Sequence, residues 1–488
     1  MQLPKWPLVG CACRYMKKQS KHADESVPQP VTEFIKLPTG QAAIQIGFTD
    51  QRVSGQAGLA TFAGFLHWHR FGARLAGWLP HRRTSPNALP PEDLALGFLT
   101  GVLAGANKLA QVAHLRRDVL LAPLLGIKRL GSQSSFSRFF QEFDSAGSNL
   151  RCFGPLWHWC LDRLRSRPGG YTLDLDSTQL LHEAGAQEGI QRGHTPRGLK
   201  RCLHPLLGFI AEARLVAGFW LRPGNVRSDN NVVAFTLELL SRLPAHLRLR
   251  LVRADAGFCE ATWLALLESQ HLYYIVVARL YQPLQRLLKR ETLWEPTDDP
   301  DVAVADVLHQ ERHWPTARRL VVIRRRVHDD SPKAGKRLLD CPGWTYQALV
   351  TNLPATVKPL AVWRDYNGRA DCENVIKELD AHFGLPQLCL EKFWSTEAAL
   401  SLAVLSYNLC VLFQRHLGWQ ERVSAGTLRF RLFTTGGLLS RTGGITTIRL
   451  AVPPDQRPWW RALFEKIISP FPNCNAVDQW PSNTPFYG

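Results

Sequence analysis

The hydrophobic pattern of this chain changes period once, at Arg167-Pro-Gly-Gly170, and that change limits the fold more than any other feature. Upstream, apolar residues recur at helical spacing over 58–79 and 91–125. Downstream, Tyr171-Thr-Leu-Asp-Leu-Asp-Ser-Thr178 alternates as a strand does, 205–216 is an apolar β-rich run, and 218–222 reads as a third strand before the turn Pro223-Gly224-Asn225. Helical spacing over 232–240, a fourth strand over 247–254, a helix over 260–268 and a fifth strand over 271–278 follow. Three consecutive strands, then strands alternating with helices, define a mixed α/β domain.

That order is the one expected of an RNase H-like catalytic domain with a mixed sheet. The stretch 283–362 interrupts it with acidic loops and two strand candidates, 319–327 and 344–351, so we expect a β-rich insertion; helical spacing returns over 366–382 and 396–413. The expected organisation is a poorly ordered basic arm at 1–40, a helical N-terminal DNA-binding and dimerisation region at 41–168, a first part of the core at 169–282, the insertion at 283–362, a second part of the core with the catalytic helix at 363–415, and a C-terminal region at 416–488. In the N-terminal region, Ser132-Gln-Ser-Ser135 opens an amphipathic helix carrying Phe136, Phe139, Phe140 and Phe143. This is the form of a DNA-reading helix presenting Gln133 and Arg138, and equally that of a capped helix packing its phenylalanines.

The chain has 488 residues, with 59 Lys and Arg against 41 Asp and Glu, a formal charge of +18. Such an excess marks a partner of opposite sign, nucleic acid first among them. The eleven cysteines form no CxxC pair, and Cys11-x-Cys13 lies near a terminus, so we expect neither structural zinc nor disulfides. With no apolar leader and no uninterrupted apolar run near the ~20 residues of a membrane span, a reduced cytoplasmic protein is the expectation.

Three acids stand where phosphodiester chemistry needs them. Metal-assisted cleavage requires carboxylates converging on ions ~3.5–4 Å apart, and hard oxygen ligands suit Mg²⁺, with Mn²⁺ as a substitute. Asp176 lies in the first strand on the same face as Asp174. Asp255 closes the fourth strand in Val252-Arg-Ala-Asp-Ala-Gly-Phe258, and Glu373 lies in the helix beginning at Tyr366. On an ideal helix Tyr366, Arg369, Glu373, Lys377 and Asp380 share a stripe about 80° wide. A surface helix pairing Glu373 with Lys377 would share that pattern.

Tyr366-x2-Arg369-x3-Glu373 resembles the signature of bacterial insertion-sequence DDE transposases, in which tyrosine, arginine, glutamate and lysine follow at spacings of two, three and six. Asp176-Ser-Thr178 resembles that family's first-aspartate motif and Arg253-Ala-Asp255-Ala-Gly-Phe258 its second, in order along residues 40–450. The signature lysine falls at Asp380; Lys377 lies one turn earlier. The resemblance implies Asp176, Asp255 and Glu373 as catalytic metal ligands, and Tyr366, Arg369 and Lys377 as contacts to double-stranded DNA. It also implies a synaptic homodimer that cleaves terminal inverted repeats through a hairpin and joins the 3′-OH ends to target DNA. A catalytically decayed or domesticated relative acting as a DNA-binding regulator is the alternative.

Within the insertion, Arg318, Arg319, Arg324, Arg325 and Arg326 crowd into one strand candidate, a pattern fit for clamping DNA phosphates. The resemblance further implies an insertion tryptophan that stacks a flipped base. Trp344 is the first choice, with Trp294, Trp314 and Trp363 as rivals.

Overall fold

The computed structural model describes residues 35–469 apart from 39–42, 80–84, 86, 196–197, 291–292, 328–335 and 339–340. The chain divides into two compact units, Met1–Gln51 and Arg52–Gly488. In the first, Ile35–Pro38 pairs antiparallel with Ala43–Ile46. The irregular arm expected over 1–40 lies outside the described residues as far as 34, and its end is this strand.

After the short strand Val53–Ser54 the second unit continues with helices. Residues 58–79 form α1 (Leu59–Trp68) and α2 (Phe71–Trp78), separated where Arg70 turns left-handed at φ 49°. Next come α3 (Pro91–Leu103), α4 (Gln133–Gln141) and α5 (Ala146–Leu161). Pro at N1 with Glu92 and Asp93 in the first turn starts α3, suiting the positive end of the helix dipole. The Ser132 hydroxyl caps α4 by accepting the Ser135 N–H at 3.1 Å.

The core strands of the main sheet downstream of Gly170 are β1 (Tyr171–Ser177), β2 (Leu206–Ile210), β3 (Leu215–Trp220), β4 (Leu249–Ala254) and β5 (Tyr273–Val277). The insertion supplies β6 (Glu295–Pro296), β7 (Val302–His309), β8 (Arg318–Arg326), β9 (Lys336–Leu338) and β10 (Cys341–Thr351). All ten join one mixed sheet in the order β6-β7-β8-β10-β5-β4-β1-β2-β3, with β9 beside β10. Only β1, β4 and β5 run parallel to one another. The insertion is therefore no separate lobe: β10 pairs antiparallel with β5 and prolongs the core sheet.

Further helices are α6 (Val232–Ser241), α7 (Ala261–Ser269), α8 (Pro359–Asn367) and α9 (Ala370–His382). The central element is α10 (Phe393–His416), buried from Ser395 onward and packed against α3, α4, α5 and β3. By length and composition α10 is apolar enough to cross a membrane, but it is the core helix of this unit. Polar residues interrupt its apolar run, which is why no span was expected there.

Three expectations need correction. The run 205–216 is two strands, because the chain reverses through Ala211–Ala213 and the left-handed Arg214 (φ 53°), where Glu212 accepts the Thr172 N–H at 3.0 Å. An apolar hairpin whose turn is Ala-Glu-Ala-Arg shows no Gly or Pro in the sequence. The single helix over 366–382 is two, α8 and α9, joined at Gly368. Finally, β7 pairs with β8 along its whole length although no strand was expected over 302–309.

Candidate active site

Each acid is placed by a different element. Asp174 and Asp176 leave β1 on one face of the sheet, and both meet arginines. Arg253 of β4, the register partner of Asp174, binds it through two bonds, Nε to Oδ1 at 2.6 Å and Nη2 to Oδ2 at 2.8 Å, with both side chains buried. Burial pushes the Asp174 carboxyl up and this guanidinium opposes it. Arg253 ends raised because the paired carboxylate outweighs its desolvation. Arg253 also donates to the Asp365 carbonyl at the end of α8. Gly368 permits this approach: a Cβ there would stand 2.6 Å from Arg253 Nη1. The α8–α9 junction is thereby tied to the sheet directly beside β1.

From that junction Arg369 reaches Asp176, Nη2 to Oδ1 at 2.9 Å, and donates to the Leu175 carbonyl at 3.2 Å. The Asp176 carboxylate also accepts the Ser177 N–H at 2.8 Å and the Cys372 thiol at 3.5 Å. Its pKa is raised, by burial first, with Arg369 acting against the rise and the Asp255 charge adding to it. The strand end is held by a chain of hydroxyls, since Ser177 Oγ lies 3.0 Å from both His204 Nε2 and Ser228 Oγ.

Asp255, just past β4, caps the next turn by accepting the Gly257 N–H at 2.9 Å. A side chain at Gly257 would meet Ser228 Cβ at 2.8 Å, so the turn needs glycine for close packing. Glu373, in the first turn of α9, is exposed and its Oε1 lies 4.0 Å from Arg369 Nη1. Arg369 thus sits among the acids, its pKa raised because Asp176, Cys372, Tyr366 and Asp255 outweigh its burial. Tyr366, buried, is pushed up to about 12 by desolvation first and feels the charges of Arg369, Asp255 and Asp176.

Asp176, Arg369 and Glu373 thus meet, Asp255 and Tyr366 lie within electrostatic range of Asp176 and Arg369, and Lys377 is exposed on α9 one turn beyond Glu373. Asp380, at the signature lysine position, has a buried Oδ1 without a hydrogen-bond partner, and desolvation raises its carboxyl to about 6. Sequence reasoning missed Asp174 with Arg253, His204 and Ser228 as supports. The signal for the first pair was an arginine two residues before the second aspartate beside an aspartate two before the first.

Among the described residues no three His, Cys, Asp or Glu side chains form a group that could hold a metal ion as they stand. The donor chemistry nevertheless suits one: Asp176, Asp255 and Glu373 offer only carboxylate oxygens, and a cation, the Arg369 guanidinium, already lies between two of them.

The expected DNA contacts separate by location. Gln133 and Arg138 are exposed on α4 beside Ser134 and Gln141, while Phe136, Phe139 and Phe140 are buried, so the helix has both a packing face and a polar outer face. Of the arginine cluster in β8, two members are engaged within the protein. Arg318 binds Glu268 through Nε at 2.8 Å and Nη2 at 3.0 Å, and Arg319 binds Asp306 at 2.6 Å and three backbone carbonyls. These ion pairs hold both side chains against the protein, where Glu268 and Asp306 already neutralise them. Arg324 lies 4.5 Å above the Trp294 ring and 4.4 Å above Trp344, and Arg326 5.2 Å above Trp344. Arg325 lies 4.4 Å above Trp363.

The mixed sheet, with β1–β3 antiparallel and β4 and β5 parallel to β1, thus carries Asp176 near the end of one strand and Asp255 just past the end of another, and α9 brings Glu373 beside Arg369. The chain belongs to the DDE transposases: the family profile described as "Transposase DDE domain group 1" matches residues 37–469. No curated protein matches it. Among solved structures, the chain is similar to the piggyBac transposase in its synaptic complex with hairpin DNA, at 13% identity and a TM-score of 0.41 over 79% of this chain and 82% of that one.

Proposed function

We propose that this protein is an active insertion-sequence transposase that cleaves the terminal inverted repeats of its element and joins the 3′-OH ends to target DNA, acting at the nucleoid of a bacterial cytoplasm. What supports this is the ion pair of Asp176 with Arg369, the approach of Glu373 to the same guanidinium at 4.0 Å and the charge that Asp255 exerts on it, in a chain of the DDE family. The β3-β2-β1-β4-β5 order, with the first three antiparallel and the rest parallel, supports an RNase H-like core.

Asp176, Asp255 and Glu373 would hold Mg²⁺ or Mn²⁺. Such ions, when bound, stabilise charge on the attacking and leaving oxygens of the phosphodiester. The chain's own residues do the rest. Arg369, now held on Asp176, would turn its planar fork to a phosphate beside the acids where a divalent ion takes over its place on that carboxylate. Tyr366, kept protonated by burial, donates its hydroxyl to the same strand. Water attacks first to release a 3′-OH, the 3′-OH attacks the opposite strand to close a hairpin, and reopening leaves an end able to join target DNA. Two copies acting together would hold both ends.

The experiment is incubation of the purified protein and Mg²⁺ with a labelled duplex carrying the repeats that flank its gene. Nicked and then hairpin products support the reading, whereas intact DNA bound by the protein would favour the non-cutting regulator.

A further inference from the structure

Strand register divides the basic residues of the insertion, each with its aromatic partner, between the two faces of the sheet. Residues paired across neighbouring strands share a face, and residues two apart along a strand share it too. Asp174 pairs with Arg253, Arg253 with Ile275, Ile275 with Thr351, and Thr351 with Arg319. Counting by twos along β8 and β10 without a register shift puts Val321, Ile323 and Arg325 on the face of Asp174 and Asp176, with Leu349, Gln347 and Thr345 opposite them. The core agrees, because Val321, Ile323 and Leu349 pack in one cluster with Val362 and Tyr366 of α8.

Arg324, Arg326, Trp344 and Tyr346 therefore occupy the other face. There the Trp344 ring already carries two guanidinium groups and lies away from the acids. On the acid-bearing face the matching pair is Arg325 with Trp363, and Trp363 stands three residues before Tyr366 on α8. The Trp363 Nε1 donates to Gln347 at 3.1 Å, its ring packs against the same core cluster, and Arg325 covers it at 4.4 Å. A tryptophan held in this way is a support for the arginine rather than a seat for a base. Among the described residues no carboxylate pairs with Arg325, unlike Arg318 and Arg319 in the same strand. β8 and β10 also bring Arg325 to the end of the sheet at which β4 finishes and Asp255 begins, since β5 is parallel to β4 and its last residue pairs with Leu349.

We propose that Arg325, seated over the Trp363 ring, is the phosphate contact through which the insertion holds the DNA strand entering the carboxylate centre, and that the Trp344 cluster on the far face is not. Contact with the ring restrains the guanidinium before DNA arrives, so little rotamer freedom is lost on binding a phosphate oxygen. This rests on the transposase reading.

The test measures binding of full-length protein to duplex DNA across salt concentrations, with nicking in Mg²⁺ in parallel. Each phosphate contact contributes about 0.9 to the slope of log K against log salt. Arg325→Ala should flatten the slope by about that amount and slow nicking, whereas Arg326→Ala should leave nicking at the wild-type rate. Arg325→Lys keeps the charge and a stem over Trp363, and should keep the slope while nicking falls; it also serves if the alanine variant does not fold. An unchanged slope for Arg325→Ala, or slower nicking for Arg326→Ala alone, overturns the assignment. If the wild type binds but never nicks, the transposase reading fails, while the slopes still decide the role of Arg325.

Discussion

Arg369 Nη2 lies 2.9 Å from Asp176 Oδ1, so the first acid of the centre is neutralised by the protein's own cation. Both side chains are largely buried, and a buried carboxylate left without its partner costs on the order of 3–5 kcal/mol. Arg369→Gln should therefore lower the stability of the metal-free protein by about that order. A divalent ion that takes over the neutralising role would restore more stability to the variant than it adds to the wild type. Denaturation midpoints with and without Mg²⁺ check this, and an equal Mg²⁺ effect on both proteins would mean that guanidinium and metal do not share the carboxylate.

The second buried pair carries a different expectation. Asp174 and Arg253 tie β1 to β4 and, through Asp365 and Gly368, to the start of α9, so they position Glu373 rather than touch DNA. Arg253→Lys keeps a charge but loses the bidentate geometry. We expect cleavage to fall while binding of the DNA end changes little. Loss of end binding by a folded variant would place Arg253 at the DNA instead.

Much of this site was legible in the sequence because its acids stand at ends of regular elements: alternation marks the strand of Asp176, and a strand run stopping at Ala254 marks Asp255. The split between α8 and α9 was not, since Gly368 keeps helical dihedrals and interrupts no apolar period. Nor was the role of each arginine in β8. Period-2 alternation separates Arg325 from Arg324 and Arg326, but which face carries the acids depends on register across four strand pairs, which one sequence does not contain.

Asp380 ties stability to pH. Desolvation raises its carboxyl from the ordinary 3.8 to about 6, so the folded state holds the proton more tightly than the unfolded one. The penalty of ionising it is absent below the unfolded value, grows as pH rises between the two, and is complete above about 6. Asp380→Asn should accordingly stabilise the protein by roughly 1–3 kcal/mol at pH 7.5, with the gain disappearing toward pH 4. Urea unfolding at the two pH values measures it; a gain independent of pH would contradict this origin.

The polar face of α4 bears on sequence reading. Base contacts specify while phosphate contacts position. If Gln133 and Arg138, both exposed, read the element end, their alanine variants should lose more affinity for that end than for random duplex of equal length. Competition binding gives the ratio, and equal losses would leave the helix as packing through Phe136, Phe139 and Phe140 alone.

The central claim is that Asp176, Asp255 and Glu373 form one centre that cuts DNA. Its most direct test is single-turnover cleavage of a labelled element end in Mg²⁺ by the wild type and by Asp176→Ala, Asp255→Ala and Glu373→Ala, with end binding measured on the same preparations. The account predicts cleavage by the wild type, no detectable cleavage by any variant, and binding within a few-fold of wild type for all. A folded variant that still cuts at a near wild-type rate would contradict it.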